Sequence, residues 1–213
     1  MLKTHKRTLI ITSIVIVLPI LIGLVLWNRL PDVMATHFGT DNEPNGFSSK
    51  AFAVIGLPLF LLVTHWLCAM FISVDPRRKN ISPKLFTVIL WLMPVVSLAV
   101  NISVYTANLG YNIDISFFML LFTGVLFTVI GNYLPKARHN YTIGIRLPWT
   151  LDNEENWNRT HRLAGYIWMG LGILIIICTL TGILKAEWLI ALISIMALIP
   201  CVYSFWLHVR HGL

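Results

Sequence analysis

Charge is the first thing this sequence has little of. Only 12% of its 213 residues are Asp, Glu, Lys or Arg, where a soluble domain carries about 25%. With 57% hydrophobic residues, there is too little polar side chain to cover a water-facing surface, so the bilayer is the expected solvent. Acids are scarcer than bases, 9 against 16, and they fall in loops or at the ends of apolar runs. The intramembrane carboxylates that ion-coupled pumps use are missing. Cysteine is limited to Cys68, Cys178 and Cys201, all inside apolar runs with no CxxC spacing, which argues against a disulfide framework or a zinc site and for buried packing thiols. HExxH, GxSxG and P-loop signatures are absent, so no enzyme and no cofactor is expected. The net charge of +7 comes with no nucleic-acid motif, and direct nucleic-acid binding is not expected. There is no repeat or low-complexity tract.

What is present is a series of apolar runs. They predict an all-α integral membrane protein, a single membrane domain over 1–213 with six transmembrane helices: 9–26, 51–74, 85–106, 115–134, 163–184 and 188–207. The first run is longer than a signal-peptide core and is read as an uncleaved helix. Pro58, Pro94 and Pro200 lie inside three of the runs and are tolerated where neighbouring helices re-satisfy the freed backbone groups. A tight turn is expected at Lys185–Glu187. Thirteen of the 16 Lys and Arg residues fall on one side of this topology, leaving Arg29, Lys50 and Lys185 on the other. The positive-inside rule then puts both termini and the 131–165 loop in the cytoplasm and the 27–50 loop outside.

The 131–165 stretch is the most specific part of the chain. Asn132 and Pro135 close the fourth helix, and Asn140 follows. Tyr141–Trp149 reads as extended: Gly144 permits close approach, Arg146 sits between apolar neighbours, and Pro148 holds Leu147 in the β or polyproline region. Thr150 or Asp152 is the expected helix N-cap, with Glu155 completing a capping-box outline. Arg159, four residues after Glu155, gives a weak ion pair. A short amphipathic helix on the inner surface is expected to run into the fifth span. Trp157 and His161 share one of its faces and Arg162 lies on another, while Trp149 and Trp157 suit the headgroup boundary. Membrane lipid is therefore one expected partner.

The run Asn140-Tyr-Thr-Ile-Gly-Ile-Arg-Leu-Pro-Trp-Thr-Leu151, followed by Trp157 and Thr160-His-Arg162, resembles the signature of the SdpI family of bacterial multi-spanning membrane proteins. The first loop resembles that family's N-terminal segment through Pro31, His37-Phe38, Gly39, Pro44, Gly46 and Ser49-Lys50. Leu147 departs from the pattern, which more often has Thr there. The resemblance implies a protein of the bacterial cytoplasmic membrane that gives immunity to a secreted toxic peptide. It also implies a signalling role in which a transcriptional repressor is held at the membrane. On that reading Arg146, Arg159 and Arg162 are the expected cytoplasmic contacts.

Other residues carry their own readings. His37, Asp41 and Glu43 in the outer loop have metal-capable side chains, but their spacing matches no metal motif and a solvated turn is preferred. Phe38 and Phe47 offer apolar contact to an extracellular peptide, and the acids would attract a cationic one. His65 and Asn101 lie within spans. They are read first as interhelical hydrogen-bonding groups, and alternatively as the polar site of a small transporter or permeability factor.

Overall fold

The computed structural model describes residues 1–39, 41–185 and 187–213. Six of its helices are long and apolar enough to cross a membrane, as the sequence predicts. In chain order the elements are α1 (Lys6–Val25), strands β1 (Val33–Phe38) and β2 (Pro44–Ser49), α2 (Leu57–Ser73), α3 (Pro83–Asn108), α4 (Ile115–Tyr133), the short α5 (Pro148–Asp152), α6 (Glu154–Leu180) and α7 (Trp188–His211). The chain divides into two compact units. The first comprises Met1–Ser73 and Phe86–Met119; the second comprises Val74–Leu85 and Leu120–Leu213.

In the first unit α1 is hydrogen-bonded to both α2 and α3. The Thr12 hydroxyl lies 3.0 Å from His65 Nε2 and donates to main-chain carbonyls of its own helix. It can therefore accept from His65, whose ring bridges the two helices. Ser97 donates to the Ile16 carbonyl at 3.0 Å and Tyr105 to that of Pro19 at 3.0 Å, a proline inside α1 that the run-by-run reading passes over. Such bonds contribute about 0.6–2 kcal/mol each in a membrane. Gly23 lets the helices close, because a Cβ there would lie 2.5 Å from Val54 Cγ1 and 2.7 Å from the Tyr105 hydroxyl. Pro58 lies inside the second span, Phe52–Ser73, just after a π-helical turn at Phe52–Gly56.

The polar 27–50 loop proves to be an antiparallel β-hairpin in which Val33 faces Ser49 and Ala35 faces Phe47. Asn45-Gly46, a turn signal in the sequence, lies within β2. Met34 points inward and joins Leu30, Ala53, Val54, Val104 and Tyr105 in a buried cluster. Asn42, at φ 66°, accepts from the main-chain N–H groups of Ile115 and Ser116 at 2.9 and 3.3 Å, and so ties the hairpin to the start of α4.

In the second unit, glycines set the crossing of α4 and α6. A Cβ on Gly131 would lie 2.9 Å from the Gly165 carbonyl, and one on Gly165 would lie 2.8 Å from that of Gly131. Gly124 and Gly172 repeat this relation at 2.9 and 2.8 Å. The helices run antiparallel with backbone against backbone, as small residues allow in lipid. Trp168 Nε1 then donates to the Met196 carbonyl of α7 at 2.9 Å. The expected surface helix and fifth span are one continuous α6 of 27 residues. The expected turn at Lys185–Glu187 contains Ala186, which lies outside the described residues. The three cysteines are free, and Cys68 is exposed on its helix rather than buried.

Gly165→Ala is expected to cost about 1–3 kcal/mol through overpacking, seen as a drop of several degrees in the unfolding temperature of the solubilised protein. Gly170→Ala, where an added Cβ meets nothing within 4 Å, should leave that temperature unchanged or slightly higher.

Candidate functional site

The segment after α4 turns on Asn140, which is fully buried. Its Oδ1 accepts from the main-chain N–H groups of Thr142 and Ile143 at 2.9 and 2.7 Å, and its Nδ2 donates to the carbonyls of Arg138 and Ile143 at 2.8 and 3.1 Å. This side chain replaces the backbone ladder that an irregular segment lacks. Tyr141–Trp149 is consequently not a strand. It bends tightly to Gly144, is extended at Leu147 (φ −101°, ψ 155°) and enters α5 at Pro148. The extended Leu147 follows from the proline after it.

Gly144 has φ 118° and packs so closely on His161 that any Cβ would collide with the ring. His161 Nε2 accepts the Ile145 N–H at 2.9 Å, while Nδ1 lies 2.8 Å from the Trp157 carbonyl. One nitrogen therefore accepts and the other donates, which fixes a neutral Nδ1–H tautomer. The Thr150 hydroxyl accepts the Leu147 N–H at 2.9 Å and lies 2.9 Å from the carbonyls of Ile145 and Leu147. The main chain of Leu147, not its side chain, does the bonding here, so its departure from the family pattern leaves the turn intact.

Trp157 is fully buried. Its Nε1 donates to the Ala137 carbonyl at 2.7 Å, and its ring lies between His161, stacked at 4.0 Å, and His139 at 5.1 Å. It is therefore the packing centre of the loop and not the headgroup anchor the sequence suggests. Trp149 is half-buried and packs against Phe205 and His208 of α7, so it too faces protein. The N-cap of α6 is Asn153, which accepts from Glu155 and Asn156 N–H at 2.8 and 3.0 Å. It takes the role expected of Thr150 or Asp152, because α5 consumes those two residues.

Three contributors from the loop between α2 and α3 escape the sequence reading. Asp75 is buried, with 2% of its surface exposed. It accepts the Arg77 N–H at 2.6 Å, the Tyr141 N–H at 2.9 Å and the Thr142 hydroxyl at 2.8 Å. The Arg77 guanidinium lies 4.7 Å from the Tyr141 ring centre and 2.6 Å from His139 Nδ1. Asn80 donates to the His139 carbonyl at 2.7 Å. The available signal was a single acid in an otherwise basic loop. Asn156 carries no signal in the sequence. It is fully buried, donates to the Ser204 and Leu213 carbonyls at 3.0 and 3.1 Å and accepts from Thr160 and Ser204 hydroxyls, binding α6 to α7.

The remaining sequence candidates lie at the surface. Arg146 is exposed, with Nη1 donating to the Tyr141 carbonyl at 3.2 Å. Arg159 pairs with Glu155 as expected, and Arg162 is exposed. Asn132 accepts from Lys136 at 3.2 Å, and the Pro135 ring sits over Gly165. In the first unit His37 turns to Asn45 and Asp41 accepts the Glu43 N–H at 3.1 Å. Among the described residues no three His, Cys, Asp or Glu side chains gather as a metal would need. Phe38 is half-buried and Phe47 exposed. His65 and Asn101 take separate partners, Thr12 for the first and the Ser97 carbonyl at 2.8 Å for the second, rather than forming a joint site.

The hairpin has one open edge. The Ala35 N–H and C=O both bond the Asn108 side chain, at 2.9 and 2.8 Å, and Lys50 N–H bonds the Asp32 carbonyl at 2.9 Å. Alternation in an antiparallel ladder then makes Ala35–Phe47 a non-hydrogen-bonded pair, so the Phe47 N–H and C=O point away from β1.

Residues 136–204 match the SdpI/YfhL protein family, and residues 14–62, which include the hairpin, match a domain of unknown function, DUF1648. The chain is 26% identical over 200 residues to the Immunity protein SdpI of Bacillus subtilis (strain 168), covering 92% of this chain and 91% of that protein. No solved structure matches. The resemblance seen at Asn140–Leu151 is thus borne out, and with six spanning helices the chain is a multi-pass protein of the bacterial inner membrane.

Two outcomes follow. Asp75→Ala leaves two main-chain N–H groups and a hydroxyl without their acceptor and should cost about 2–4 kcal/mol; amide exchange at Tyr141 should speed up at least tenfold by the same reasoning. Burial, and then the Arg77 guanidinium, lower the His139 pKa below its ordinary 6.5. Its neutral form is the folded one, so its contribution is complete above about pH 6.5 and is lost as pH falls through the lowered value. The unfolding temperature should therefore fall on acidification, and the fall should be shallower in His139→Gln.

Proposed function

We propose that this chain is a membrane immunity protein that protects its bacterium against a secreted toxic peptide. The observation that carries the reading is the similarity to an immunity protein along nearly the whole length of both chains, with the family match on the 136–204 segment. No catalysis is proposed: the Asn140, His161 and Thr150 side chains are occupied with the loop's own backbone.

The charge distribution supports both termini and the motif loop in the cytoplasm, and the hairpin outside. A secreted peptide then meets the hairpin first. Asp41 and Glu43 are exposed near its turn and form no ion pair among the described residues, which favours a cationic partner. The open edge at Phe47 allows an extended peptide to add as a third strand, with the exposed Phe47 ring as apolar contact. On the other side, exposed Arg146, Arg159 and Arg162 offer the surface on which a repressor would be held. A transporter built on His65 and Asn101 is disfavoured by the separate partners of these two residues.

Expression in a strain sensitive to the related toxic peptide should raise survival, and His65→Leu should leave that protection unchanged at equal protein level. Phe47→Ala removes only the side chain, whereas Phe47→Pro also removes the outward N–H without touching the hairpin ladder. Pro should therefore lower protection at least threefold further than Ala. No protection by the unaltered chain would sink the immunity reading, and equal effects of Ala and Pro would sink strand addition alone.

A further inference from the structure

Three arginines in the second unit contact the Asp75–Tyr141 pair, and none of them forms an ion pair among the described residues. Arg77 stacks on the Tyr141 ring at 4.7 Å. Arg146 Nη1 lies 3.2 Å from the Tyr141 carbonyl. Arg78 Nη1 lies 3.5 Å from the Asp75 carbonyl, and Asp75 itself holds the Tyr141 N–H at 2.9 Å. All three cations are thus tethered to one Asp75–Tyr141 hub. The Asp75 carboxylate accepts from two main-chain N–H groups and the Thr142 hydroxyl and makes no ion pair with these arginines. Among the described residues the ion pairs are Lys50–Asp32 and Arg159–Glu155, and neither involves this cluster. Arg78 and Arg146 are exposed, and Lys79 beside them adds a further exposed cation.

Like charges tethered to one hub repel, and an anion bound by them relieves the repulsion. Guanidinium forks match the oxygens of phosphate in a bidentate way. The surroundings select the source of that phosphate. Asp75 lies two residues, and Arg77 four residues, after Ser73, where a helix long and apolar enough to cross a membrane ends. Val74, next to Asp75, is 68% exposed, and Tyr141 is 40% exposed with its ring under Arg77. Apolar surface directly beside a phosphate-binding fork suits a molecule with a phosphate head and an acyl body.

We propose that Arg78 and Arg146, backed by Arg77 on Tyr141, bind the phosphate of an anionic phospholipid headgroup. The site is independent of immunity: it holds whether or not the chain protects against a peptide. Bound lipid joins the loop after α2 to the motif loop through the Asp75–Tyr141 hub, and so braces the motif loop against the membrane surface.

The test uses the full chain in detergent, titrated with phosphatidylglycerol, phosphatidylcholine or inorganic phosphate, with bound lipid counted by native mass spectrometry. Phosphatidylglycerol should be retained in preference to phosphatidylcholine. The Arg78→Gln/Arg146→Gln double variant should weaken that retention about 30-fold, roughly 2 kcal/mol at about 1 kcal/mol for each basic residue near an anionic surface. Lys185→Gln, an exposed cation elsewhere in the same unit, should not. The unfolding temperature of each variant without lipid checks that it is folded. Equal retention of the two lipids, or retention unchanged in the double variant, overturns the site. Displacement of the lipid by millimolar inorganic phosphate alone reassigns it to a soluble anion, and displacement by a hexaglutamate peptide at micromolar concentration reassigns it to an acidic protein; either overturns the lipid proposal.

Discussion

The second unit depends on a buried carboxylate. Removing Asp75 from water costs several kcal/mol, and that cost is offset only because two main-chain N–H groups and a hydroxyl converge on it. Charge-assisted bonds of this kind contribute about 1.5–3 kcal/mol each. The arrangement therefore exists as a whole or not at all. Once Tyr141 and Thr142 are fixed on Asp75, Asn140 closes the turn, Gly144 passes over His161, and Thr150 secures the entry into α5. Trp157 fills the space beneath, between two histidine rings. The residues that look most functional in the sequence are mostly structural: they shape a loop, and the loop presents arginines.

The two units use polarity differently. In the first, isolated hydroxyl, amide and imidazole groups bridge helices one bond at a time, as at Thr12–His65 and Ser97–Ile16. Lipid offers no competing partner, so a single bond is enough to set a helix rotation. In the second, α4 and α6 meet through glycine backbones, and the polar residues are gathered into one network at the helix ends. The first unit carries an acidic hairpin turn and the second a basic loop, so each surface suits a partner of opposite charge.

Much of this was legible in the sequence. Apolar run lengths gave the six spans, because a bilayer admits few other ways to satisfy a backbone. The motif around Asn140–Leu151 gave the family resemblance. Glu155–Arg159 gave its ion pair, since helical spacing alone brings them together. Pro148 gave the extended Leu147 for an equally local reason.

Contacts between distant segments were not legible. Asp75 meets Tyr141 across 66 positions, and no pattern within either segment announces the other. Amphipathic position is all a sequence shows of a tryptophan, and it puts Trp157 at the membrane boundary; whether its ring faces lipid or two histidines is decided by what folds over it. The hairpin is hidden for the same reason, since its strands are short and are held by Met34 packing and by Asn108 at their edge. The sequence by itself determined the solvent, the spans and the family resemblance, which rest on composition and local spacing. Only the tertiary structure decided which polar residues build the loop and which are left exposed, because that depends on the pairing of groups far apart in the chain.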